Sequence, residues 1–173
     1  MRGGGNYLLS AGHNLNQMLS VVFQQAFTND LFLRYGGIYN DDPSSSFRLS
    51  TGFQIRPFFN KAKSAVTGYP DLNLNPSSHP LVGNFNGLGP ITYFNEEMLL
   101  PGTTVIYRMG IKEIGADNHS PNEEQFEQYN NQPVAVRKIT GNNRTYHFGF
   151  PLSYMDKDDA KQAINTMLQE LGL

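Results

Sequence analysis

A chain of 173 residues, 39% hydrophobic and only 16% charged, holds enough apolar material for one core and lacks the high charge of a disordered chain. Its formal net charge of −2 argues against a general nucleic-acid surface, and no apolar run approaches the roughly 20 residues that a helical membrane span needs. Cysteine is absent, which excludes disulfides, thiolate catalysis and cysteine metal sites.

The chain opens on Arg2, three glycines and Asn6, and residues 6–10 (NYLLS) read as a short buried strand leaving a glycine turn. Leu15, Met18, Leu19, Val22, Phe23, Ala26 and Phe27 then recur at helical spacing. They predict an amphipathic helix, with Asn14 as its N-cap and Gln17 as the box partner. A second short helix is expected over 29–35, ended by Gly36-Gly37, and Ile38-Tyr39 start another strand.

Residues 40–102 are irregular and rich in turn formers, as in "GYPDLNLNPSSHP" and "GNFNGLGP". Short extended pieces are expected at 53–55, 72–74 and 91–94. The region reads as a long irregular insertion lying over one end of a sheet, or as decorative loops with small hairpins. Order returns with a strand at 105–109. The polar stretch 118–132 is a loop or a marginal helix around Glu123–Tyr129. Pro133–Thr140 and 145–150 are strands joined by Gly141-Asn142-Asn143-Arg144, a natural hairpin loop. A last helix is capped by Asp156, carries Asp158 and Asp159 in its first turn, and has Ala160, Ile164, Met167, Leu168 and Leu171 as its apolar face.

This order predicts a single α/β domain over 1–173 with helices on the faces of a sheet. The first strand has the character of an inner strand, so N-terminal strands and helices of a longer domain are expected to be missing.

Both ends of the chain resemble a class I glutamine amidotransferase-like domain. In that family a glycine turn enters a strand ending at the nucleophile, in a pattern like G-x-x-G-(I/V)-C-x-G. "GNYLLSAGHN" lays over it, with Gly5 and Gly12 on the outer glycines and Ser10 on the cysteine. A later strand ends in F-H-P-E in the family. Here "HFGFPLS" keeps the proline as Pro151 but has Phe150 for the histidine and Leu152 for the glutamate. The stretches "DLFLRYGGIY" and "RTYHFGFPLSYMDKDDAKQAINTMLQELG" look like a divergent, non-amidotransferase branch found in large secreted bacterial proteins. The resemblance implies an α/β, flavodoxin-like three-layer sandwich with a mostly parallel sheet and a C-terminal hairpin. It also implies an accessory role beside other modules of the same polypeptide, outside the cell or in the periplasm.

The chemistry can be judged from the residues themselves. A nucleophile needs a base within about 3 Å and a group to orient that base. Phe150 cannot accept a proton and Leu152 cannot orient an imidazole. A serine hydrolase or acyl-transfer enzyme using Ser10 would need a replacement base, for which His13 is the nearest candidate. His147 lies three residues before Phe150 on a strand, and alternation places the two on opposite faces. Ser10 therefore reads as a small turn residue rather than a nucleophile, and the chain as a non-catalytic binding or accessory domain.

The four histidines are scattered, so no metal site is expected. The glycines at 3–5 precede a strand, whereas phosphate loops follow one, so no cofactor is expected. The sequons at Asn118 and Asn143 are read as chance in so Asn-rich a chain. Aromatic residues are the one excess, with 12 Phe and 9 Tyr. Tyr69, Phe85 and Tyr93 are the candidates for a face that binds a glycan or peptide. The preferred alternative is a satellite core that holds the long loop down.

Overall fold

The computed structural model describes residues 6–10, 50–52, 58–75, 91–94, 96–118 and 120–173. Among these residues the strands are β1 (Tyr7–Ser10), β2 (Ser50–Gly52), β3 (Phe59–Ser64), β4 (Leu72–Asn73), β5 (Ile91–Tyr93), β6 (Thr103–Ile111), β7 (Pro133–Thr140) and β8 (Asn143–Phe148). The α-helices are α1 (Glu123–Tyr129) and α2 (Lys157–Glu170), and 3₁₀ turns cover Glu96–Met98 and Leu152–Tyr154. The helices expected over 15–27 and 29–35, the strand start at Ile38-Tyr39, and the extended piece at 53–55 lie outside the described residues.

Six strands form one mixed sheet in the order β1-β8-β7-β6-β3-β4, and β2 pairs with β5 in a separate ribbon. β1 runs parallel to β8, while the pairings β8-β7, β7-β6, β6-β3 and β3-β4 are antiparallel. The sheet curls into a half-barrel. This overturns the expected flavodoxin-like, mostly parallel three-layer sandwich. A parallel sheet needs a long crossover, usually a helix, between successive strands. Here β7 and β8 are joined by a two-residue turn, with Thr140 opposite Asn143. Among the described residues the link from β6 to β7 carries only the short α1, and it returns antiparallel. β3 and β4, from within the 40–102 stretch, form one end of the same sheet.

Local chemistry explains these elements. Gly141 takes φ of 58° at the first central position of the β7–β8 turn, where a type II′ turn favours glycine. α1 forms because Asn122 and Gln125 make a reciprocal capping box. The Asn122 side chain accepts from the Gln125 amide at 2.8 Å, and the Gln125 side chain accepts from the Asn122 amide at 3.0 Å.

The main core lies between the sheet and α2. A line of rings crosses it: Phe59 against Phe150 (centroids 5.4 Å apart), Phe150 against Phe148 (5.6 Å), Phe148 against Tyr107 (5.8 Å), and Tyr107 edge-on to Tyr69 (5.8 Å). Each fully buried ring of this kind contributes about 1.5–3 kcal/mol by leaving water. Ala163 and Met167 of α2 are buried against this layer. Ile164 and Leu168, assigned to the apolar face from sequence, are each 38% exposed. Polar anchors set that rotation. Asp159 accepts from the backbone and side-chain nitrogens of Asn73, both at 3.0 Å, and the Thr166 hydroxyl donates to the Gly68 carbonyl at 3.2 Å.

Residues 150–156 form a strap joining the two end strands of the curled sheet. At one end the Leu152 amide meets Ser10 of β1. At the other, Leu74 bridges to Met155, the Asn75 amide donates to the Tyr154 carbonyl, and the Asp156 amide donates to the Asn73 carbonyl. Three residues of chain reach at most about 11 Å, which bounds the gap the strap crosses between Leu152 and Met155.

Candidate functional site

Ser10 ends β1 opposite Phe148 of β8. Its hydroxyl donates to the Phe150 carbonyl at 2.9 Å and accepts from the Leu152 amide at 2.7 Å. The fold thus brings together Ser10, Phe150 and Leu152, the three positions that the sequence comparison paired. What meets the hydroxyl is main chain. The Phe150 ring is fully buried between Phe59 and Phe148. His13 lies outside the described residues.

His147 is on the other face of the sheet, because Ser10 is in register with Phe148 and strand side chains alternate. It is fully buried, with Nε2 2.5 Å from the Tyr7 hydroxyl and the two rings edge-on. Burial pushes its pKa from the ordinary 6.5 down to about 3, so the imidazole is neutral near pH 7. Burial also raises the Tyr7 phenol, which keeps its proton. A neutral acceptor Nε2 facing a protonated phenol suits that contact.

Beyond Ser10 the strap and the first turns of α2 frame a groove of about 570 Å³. Leu152, Met155, Ala160 and Ile164 supply apolar lining, and the exposed Lys157 and Lys161 stand beside them. Its position follows from the residues beneath it. Ser10 fixes Leu152, the bridge to Leu74 fixes Met155, and Asp156 caps α2 by accepting from the amides of Asp158 and Asp159. This site was not singled out from sequence. The signal was present, since Lys157, Lys161, Ile164 and Leu168 are spaced 4, 3 and 4 residues apart and share one flank of the helix.

A second cluster holds the far end of α2. Arg137 pairs with Glu170 at 2.5 Å, and the Tyr146 hydroxyl donates to the other Glu170 oxygen at 2.7 Å. Burial acts to raise the Glu170 pKa, but the hydrogen bonds from Arg137 and Tyr146 outweigh it and hold the carboxyl below its usual range. Tyr69 sits beside this cluster, buried, with its phenol pushed up by desolvation first and by Glu170 second. Tyr93 is half-buried with its ring against Tyr129. The two tyrosines offered as ligand-facing therefore pack on different partners, and Phe85 lies outside the described residues.

Among the described residues, no group of three or more His, Asp or Glu side chains is placed to hold a metal ion. No described helix is long and apolar enough to cross a membrane. The chain matches no family model, no curated protein and no solved structure.

Proposed function

We propose that this chain is a non-catalytic binding module whose ligand-facing feature is the groove between the strap and α2. The observation that carries the reading is the state of the Ser10 hydroxyl. Its proton goes to the Phe150 carbonyl and its lone pair takes the Leu152 amide. A nucleophilic serine instead directs its proton at a base, which in turn is oriented by a third group. Supporting this, His147 is neutral, buried and on the opposite face of the sheet, where it serves the Tyr7 hydroxyl. The groove supports the binding half of the reading. It is apolar, of a size within the roughly 300–1,000 Å³ of small-ligand sites, and walled by elements fixed at both ends.

The test is labelling of the folded chain with a serine-reactive fluorophosphonate. No labelling is the expected result. Labelling that disappears in Ser10→Ala would overturn the reading in favour of a serine-dependent hydrolase or acyl-transfer enzyme.

A further inference from the structure

We propose that the groove beside α2 takes an apolar-chain carboxylate, with the hydrocarbon along Leu152, Met155, Ala160 and Ile164 and the carboxylate at Lys157 and Lys161. This inference rests on the reading of the chain as a binding module and names the ligand class of that site.

Charge complementarity selects the ligand. Lys61, Arg108, Lys112 and Arg137 each have a carboxylate partner, in Asp71, Glu96, Asp117 and Glu170 respectively. Lys63 and Arg144 turn to neutral oxygens of Asn130 and Asn142, whereas Lys157 and Lys161 form no ion pair among the described residues and both line the groove. The nearby acids do not neutralise them. Asp156 is occupied in capping α2, and Asp159 is held by Asn73 on the opposite flank of the helix. Asp158 is exposed and does not line the groove. Two ammonium groups one helical turn apart, beside an apolar trough, match an anion carried at the end of a hydrocarbon.

The lining also argues against a sugar. Among the described residues it contains no aromatic ring for a pyranose to stack on, and a ring face is how proteins commonly receive the apolar face of a sugar. Among the described residues the groove is built at a helix flank, a 3₁₀ turn and Asn75 just past β4, whose edge the strap already takes through Asn73, Leu74 and Asn75, so none of these offers a free strand edge for an extended peptide backbone.

The experiment titrates the whole chain with decanoate below its micellar concentration, followed by ¹H–¹⁵N NMR. Decanol and decyltrimethylammonium serve as neutral and cationic probes of the same length. Expected are saturable shifts concentrated at 152–164 and an affinity order of decanoate, then decanol, then the ammonium. The double variant Lys157→Gln/Lys161→Gln, both surface changes, should weaken decanoate about fivefold or more and leave decanol unchanged. Ile164→Gln should weaken decanoate and decanol alike. Absence of saturable shifts overturns the proposal, as does equal affinity for the three probes or a double variant that binds decanoate like the parent chain. If decanoate fails while the fluorophosphonate remains silent, the ligand class falls and the non-catalytic reading stands. Labelling at Ser10 removes the premise of both.

Discussion

The Leu152 amide donates to the Ser10 hydroxyl at 2.7 Å, a contact between residues 142 apart in the chain. Together with the Ser10 bond to the Phe150 carbonyl, it clips the β1 end of the curled sheet to the strap that carries the groove. Ser10→Ala removes both bonds and leaves a main-chain N–H and C=O without their partner. It should lower unfolding stability by about 1–2 kcal/mol, read from urea melts. It should also shift the NMR signals of Leu152 and Ser153. A variant as stable as the parent would show that the hydroxyl is not structural.

The buried His147 predicts a specific acid sensitivity. Its folded pKa lies near 3, below the ordinary 6.5 that it regains on unfolding. Above pH 6.5 neither state binds the proton. As pH falls below 6.5 the unfolded chain takes it up first, so stability is lost progressively down to about pH 3. The slope from this one group is at most about 1.4 kcal/mol per pH unit. His147→Gln cannot titrate. It should be less stable than the parent at pH 7, because it loses the Tyr7 contact. The difference between the two should shrink by up to about 2 kcal/mol between pH 6.5 and 5. Urea melts of both chains at the two pH values measure it, and parallel pH profiles would refute it.

The cluster at the far end of α2 predicts coupling. Glu170 receives the half-buried Arg137 on one oxygen and the fully buried Tyr146 on the other, so replacing the carboxylate by an amide removes the charge and one of the two acceptors. Glu170→Gln should destabilise by about 1–3 kcal/mol. A double-mutant cycle with Arg137→Met should give a coupling near 1 kcal/mol. Because the folded Glu170 pKa is lowered, this contribution is present above the unfolded carboxylate pKa and is lost as pH falls through the folded one. A cycle that closes at zero would make the contact incidental.

Local signals in the sequence were sound where a single element generated them. Pro133–Thr140 is a strand, Asp156 caps the last helix, and a hairpin turn joins β7 to β8, though it is two residues long rather than four and β8 runs two residues earlier than expected. His147 and Phe150 do lie apart, but alternation acts only on Phe148, since β8 ends there and Phe150 belongs to the strap. The sheet architecture was not legible, for a physical reason. β6 is buried on both faces along most of its length, and β7 over its first four residues. Such continuous apolar runs are also what a parallel sheet covered on both sides produces. Only pairing partners distinguish the two, and those are long-range. The apolar face of α2 was read rightly at Ala160, Met167 and Leu171, which pack on the core, and misplaced at Ile164 and Leu168, which fit a helical stripe as well as Ala163 does. What decides between them is Asp159 reaching Asn73 and Thr166 reaching Gly68, contacts made with a distant part of the chain.

The hairpin turn offers a case where backbone conformation can be isolated from packing. Gly141 has φ of 58°, and a Cβ added there would meet no atom within 4 Å. Any cost of Gly141→Ala is therefore conformational, about 1 kcal/mol for holding an L-residue in the left-handed region. Gly141→Asn should cost less, because asparagine accepts that region more readily. Equilibrium melts of the two variants measure this order directly. Both should leave the groove unchanged, since the turn and the strap lie at opposite ends of β8. If alanine proves neutral, Gly141 does not hold a positive φ in solution and the turn is of another type. The register of Thr140 with Asn143 places Tyr146 and Phe148 on the α2 face and His147 behind them, so a one-residue slip would invert both the core and the environment of the histidine.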